Sequence, residues 1–126
     1  MSDVQSSTIM IVGDNADFSY LMQRYVRRGG HQMVVVGPDE DALELARHKK
    51  PSAIVLEADL PGAPGWDILQ ALKSDQATRD IPVLICSWSD EEERGLMEGA
   101  AGYLRKPVLY EDFLVALEGV GARSCV

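Results

Sequence analysis

The chain of 126 residues has only two cysteines, Cys86 and Cys125. That count excludes a disulfide framework and favours a reducing compartment, the cytoplasm. Basic residues are also scarce. Twelve Lys and Arg stand against twenty Asp and Glu, giving a formal net charge of −8. A surface of that sign repels phosphate backbones and anionic lipid, which argues against nucleic acid and membranes as partners. No apolar run approaches the roughly 20 residues that span a bilayer. The stretch from Met1 to Thr8 has no basic, apolar leader pattern. Internal repeats, linkers and low-complexity blocks are missing too. What is present is a 46 % hydrophobic composition, enough for a sizeable core at this length without metal or disulfide staples, and a length that suits one domain.

Four apolar runs punctuate the chain: Ile9–Val12, Met33–Val36, Ala53–Leu56 and Ile81–Cys86, with a shorter fifth at Gly102–Leu104. Short, β-branched runs of this kind are what strands buried on both faces look like. Helical spacing fills the intervals. Phe18, Leu21, Met22, Tyr25 and Val26 line one face of a first helix, with Asp14 or Asn15 as its cap and Gly29-Gly30 at its end. Pro38 and Asp39 open a second helix through Ala42, Leu43, Leu45 and Ala46. Ile68, Leu69 and Leu72 mark a third, beyond the breaker loop Pro61–Gly65. Ser89-Asp90-Glu91-Glu92 has the form of a capping box for a fourth helix through Leu96 and Met97. Tyr110, Phe113, Leu114 and Leu117 mark the last. Five strands alternating with five helices predict an α/β fold, a doubly wound, five-stranded parallel sheet. The domain is expected over 8–120, with tails at 1–7 and 121–126. Met10, Met22, Met33 and Met97 read as core fillers, and His31 and His48 as solvated.

In such a sheet, ligands bind beyond the carboxyl ends of the strands. The polar residues expected there are Asp14, Glu57, Asp59, Ser87 and Lys106. Carboxylates suit a hard divalent cation; a hydroxyl and an ammonium suit phosphoryl oxygens.

These residues lie in the segments Ile9–Asn15, Leu56–Gly62, Ile81–Ser87 and Tyr103–Pro107, whose order and spacing resemble the response-regulator receiver domains of two-component signalling. The resemblance covers about residues 8 to 120 and implies the flavodoxin-like receiver topology. It also implies a phosphoacceptor four residues before Pro61, which is Glu57 where the family has aspartate. It places a switch pair at Ser87 and Tyr103, and a phosphate-binding lysine at Lys106. The receiver pocket is thus Asp14, Glu57, Ser87 and Lys106. The family usually has two adjacent acids after the first strand; here they are Gly13 and Asp14. At Asp59 the family supplies a backbone carbonyl to the metal. Trp88 stands where a small residue is usual.

Each departure works against phosphotransfer. In-line attack needs the acceptor oxygen placed to well under about an ångström, and Glu adds a methylene. Without an acid at position 13, Mg²⁺ binding through Asp14, Glu57 and Asp59 is expected to be weak or absent. No other cofactor is expected. A flavin-binding protein of the same architecture would need a hydroxyl- and glycine-rich loop where Gly13-Asp14-Asn15 is acidic. The expected function is a stand-alone, non-enzymatic signalling module that binds a protein without phosphorylation. The alternative is a working receiver taking phosphate from a histidine kinase. Several choices stay open. The pocket is either locked active-like by a Glu57–Lys106 ion pair or inert. Ser87 is a switch or a helix cap, and Tyr103 a switch or simple packing. Trp88 lies in the core or joins Tyr103 and Tyr110 on a partner face.

Overall fold

The computed structural model describes residues 7–37, 40–59 and 64–121. Pro38, Asp39, Pro61, Gly62 and Cys125 lie outside the described residues, as does most of each expected tail. The elements run β1 (Thr8–Val12), α1 (Ala16–Arg28), β2 (Gln32–Val36), α2 (Ala42–Lys49), β3 (Ala53–Glu57), α3 (Pro64–Ser74), β4 (Val83–Ser87), α4 (Glu92–Met97), β5 (Gly102–Arg105) and α5 (Tyr110–Gly119). All strand pairs are parallel, in the order β2-β1-β3-β4-β5. The expected doubly wound sheet is therefore the observed one. The order reverses at β1, so the carboxyl ends of β1 and β3 form the crevice of an open α/β sheet.

Alternation along the strands sends successive side chains to opposite faces. Ile9, Ile11, Ala53, Val55 and Cys86 pack with Phe18 and Met22 of α1 and Phe113 and Leu117 of α5. Met10, Val12, Ile54, Leu56 and Ile85 pack with Leu69 and Leu72 of α3 and Ala46 of α2. Glu57 follows Ala53 and Val55 on the face that α1 and α5 cover, which decides where its side chain goes. Gly65 matters here for its missing side chain: a Cβ would sit 2.7 Å from the Ala58 Cα. That close approach seats α3 against the end of β3.

Several local expectations are corrected. β4 begins at Val83, two residues after Ile81: Pro82 has no amide to give to the ladder, although its carbonyl accepts from the Ile54 amide. Asp41 caps α2, accepting from the Leu43 and Glu44 amides. Of the two candidates for the α1 cap, Asn15 takes the role, accepting from the Phe18 amide at 3.0 Å. The Ser89 capping box does not form. Helix α4 starts at Glu92 without a side-chain cap, and the Ser89 hydroxyl turns to Glu91 instead. Met97 is exposed on that short helix.

His31 is not solvated. It is buried just before β2, and among the described residues neither ring nitrogen has a hydrogen-bond partner. Burial lowers its pKa from the usual value, because an imidazolium there would be desolvated. The unfolded chain therefore takes up this proton at a higher pH than the folded one does. Folding stability is expected to fall as pH drops below about 6.5, at no more than about 1.4 kcal/mol per pH unit. Denaturant midpoints measured across that range for wild type and His31→Leu should diverge in acid. Parallel curves would contradict the assignment.

Candidate active site

At the carboxyl end of β3, Glu57 is 2 % exposed. A bare carboxylate in that position would be very costly, so its partners decide whether it stands. Its Oε1 accepts from the Asp14 amide at 3.1 Å and from the Asn15 amide at 3.4 Å. Its Oε2 accepts from Lys106 Nζ at 2.5 Å. The extra methylene of glutamate thus carries the carboxylate across to the β1–α1 turn, where two backbone donors meet it.

Gly13 makes that reach possible. A Cβ at Gly13 would lie 2.9 Å from Glu57 Oε1 and 3.0 Å from the Phe18 ring. The two departures noted in the sequence are therefore one structural feature. The space left empty beside β1 is filled by the longer acid from β3.

Lys106 comes from the β5–α5 connection. Its amide bonds the Ser87 carbonyl at 2.9 Å, and a cis peptide joins it to Pro107. Its ammonium lies 4.8 Å from the centre of the Phe18 ring and 5.9 Å from that of Trp88. Both distances suit cation–π attraction. It also stands 3.3 Å from Asp59 Oδ2. One buried cation is thus shared by two carboxylates.

Asp59 is the residue whose role the sequence reading missed. Its Oδ1 accepts from the Ser87 hydroxyl at 2.7 Å, and its Oδ2 from the Trp88 amide at 2.9 Å. Partial burial opposes its ionisation. Ser87, the Trp88 amide and Lys106 outweigh that and hold its carboxyl below the usual range. No sequence signal gave the direction of this side chain; only its place two residues after Glu57 hinted that it could return to the pocket.

Ser87 also accepts from the Ser89 amide at 3.0 Å, a local turn that does not cap α4. The Tyr103 hydroxyl donates to the Ser89 carbonyl at 2.5 Å and accepts from the Glu91 amide at 3.2 Å. It therefore ties β5 to the β4–α4 loop. Trp88 is 61 % exposed, which overturns its core reading. It stands at the mouth of the cleft lined by Asp14, Asn15, Glu57, Asp59 and Lys106. The Tyr110 ring packs edge-on against Tyr25 of α1, under the Arg28 guanidinium. Cys86, beneath the pocket, is fully buried and its thiol is pushed up to about 12, mainly by burial, which makes it a core residue without reactivity.

The residues that would hold Mg²⁺ are the acids Asp14, Glu57 and Asp59. A hard cation needs several oxygens facing one point. Here the Glu57 and Asp59 oxygens all face donors, and Asp14 offers its amide to the site while its side chain is exposed. Among the described residues no group of three acids, histidines or cysteines is placed to hold a metal ion.

Residues 9–118 match the family described as response regulator receiver domain. The chain belongs to that family. Among curated relatives, the protein PilH of Pseudomonas aeruginosa is 32 % identical over 115 residues, spanning 89 % of this chain and 95 % of PilH. The polar-differentiation response regulator DivK of Brucella ovis is 28 % identical, spanning 90 % of this chain and 94 % of DivK. Two other relatives are longer, and the chain spans 54 % and 52 % of them. Among solved structures, the chemotaxis response regulator CheY4 of Vibrio cholerae shares the fold with a TM-score of 0.81 at 20 % identity, covering 92 % of this chain and 99 % of that one. This receiver domain is thus a module of two-component signalling. None of its described helices is long and apolar enough to cross a membrane.

Proposed function

We propose that this receiver domain acts without phosphorylation, as a stand-alone cytoplasmic module that binds a signalling protein and catalyses no reaction. One observation carries the reading. Both oxygens of Glu57, the residue at the phosphoacceptor position, are already engaged inside the protein, by two backbone amides and Lys106. A nucleophile must present a free oxygen in line with the donor phosphorus. Glu57 could do so only by giving up a buried ion pair and exposing the Asp14 and Asn15 amides. Three further features support the reading: the carboxylates do not converge on a metal position, Trp88 stands at the cleft mouth, and the chain spans nearly all of PilH and DivK. The partner is expected to be a protein, since the charge of −8 disfavours nucleic acid and anionic lipid.

Beryllofluoride with Mg²⁺ tests this by imitating a bound phosphoryl group. The amide spectrum of the wild-type chain is expected to stay unchanged. Saturable shifts at Asp14, Asn15 and Trp88 would establish the alternative, a working receiver fed by a histidine kinase.

A further inference from the structure

We propose that the Asp59 carboxylate is an internal occupant of an oxyanion cradle, tying the β4–α4 loop in place with no ligand present. The inference rests on the reading above and names how that same site is regulated. Three donors from two elements converge on one carboxylate. They are the Ser87 hydroxyl at 2.7 Å, the Trp88 amide at 2.9 Å and the Lys106 ammonium at 3.3 Å. A hydroxyl, a backbone amide and an ammonium set around one point form a receptor for a tetrahedral oxyanion, since each hydrogen bond to an ionised acceptor is charge-assisted. An ionised carboxylate has about four acceptor sites, enough for all three donors.

The charges agree. A phosphoryl group carries close to −2 near neutral pH, and one carboxylate supplies half of that. Lys106 faces two carboxylates, Glu57 and Asp59. Together they match the charge that an oxyanion would bring.

The contacts continue outward from the cradle. Ser87 Oγ donates to Asp59 and accepts from the Ser89 amide. The Ser89 carbonyl accepts from the Tyr103 hydroxyl, which also takes the Glu91 amide. A bond made at Asp59 therefore fixes the loop that leads into α4 and the residue of β5 beneath it. In this chain the loop's position depends on a side chain of the fold.

The test compares wild type with Asp59→Ala in the full chain by amide NMR. Without its acceptor, the Trp88 amide in Asp59→Ala should exchange with solvent at least about tenfold faster, the loss expected for one charge-assisted hydrogen bond. The emptied cradle should then respond to inorganic phosphate. The Trp88 and Ser89 amides should shift saturably in the variant and stay still in wild type, with chloride of equal ionic strength as the control. Asp59→Ser, whose short side chain also leaves the cradle open, repeats the experiment if the alanine variant does not fold. Unchanged exchange at Trp88, or equal phosphate responses in wild type and variant, overturns the proposal. Beryllofluoride shifts in wild type would remove the phosphorylation-independent reading, while Trp88 exchange decides the cradle, so the two failures are separable.

Discussion

Replacing Lys106 with methionine is expected to destabilise the domain by about 3 kcal/mol, because it leaves a buried carboxylate without its cation. Glu57 and the Lys106 side chain are both almost fully buried. Breaking such a pair from one side costs roughly 3–5 kcal/mol. The lower end applies here because the Asp14 and Asn15 amides still hold Glu57 Oε1. Removing both charges in Lys106→Met/Glu57→Gln should cost less than Lys106→Met alone, since the buried Glu57 charge is then gone and only the part-exposed Asp59 loses its cation. Urea unfolding of wild type, Lys106→Met, Glu57→Gln and the double variant measures the cycle. If Lys106→Met were neutral, the buried ion pair would have no part in holding the site.

Gly13→Asp is expected to be the second large loss. It restores an acid where receivers usually have one, yet it should harm this chain. The new Cβ falls 2.9 Å from Glu57 Oε1 and 3.0 Å from Phe18. Neither neighbour moves freely, since Glu57 is bonded at both oxygens and Phe18 is core. Crowding of this kind costs about 1–3 kcal/mol, and a second carboxylate beside the first adds repulsion. Shortening the acid relieves both effects. In Gly13→Asp combined with Glu57→Asp, the stability loss should fall below the sum of the single losses by about 1 kcal/mol or more. Additive losses in denaturant midpoints would mean that positions 13 and 57 are independent. Glu57→Asp by itself is expected to leave the chain unable to take phosphate, because position 13 still lacks its acid and Asp59 still occupies the donors.

The reasons these positions were only partly legible in the sequence are physical. Strands declare themselves through composition: Ile9–Val12 and Ala53–Leu56 are continuous apolar runs because both faces of a parallel sheet are covered. Their ends then locate Glu57, Ser87 and Lys106 at one crevice without any knowledge of contacts. The missing acid at Gly13 and the long acid at Glu57 were also visible. Their connection was not, because the Glu57 bonds to the Asp14 and Asn15 amides span 43 and 42 residues and depend on where a carboxylate turns. Asp59 was hidden for the same reason; nothing in sequence spacing says that its side chain bends back to Ser87 and Trp88. Ser89 misled because its hydroxyl donates to the Glu91 carboxylate at 2.9 Å instead of accepting from a first-turn amide of α4. Met97 misled because α4 is too short, and too far out on the sheet, for every apolar residue on it to reach the core.

The ion pair of Glu57 and Lys106, the vacancy beside β1 that Gly13 provides, and the Asp59 bonds to the β4–α4 loop form a single network. On the proposed reading, each piece removes something that phosphotransfer requires: a free nucleophile, converging metal ligands, unoccupied donors for the arriving oxygens. The central claim is that Glu57 is a structural acid. Intact-mass spectrometry of the wild-type chain after incubation with acetyl phosphate and Mg²⁺ tests it most directly. The account predicts an unchanged mass; gain of one phosphoryl group, mapped to Glu57, would contradict it.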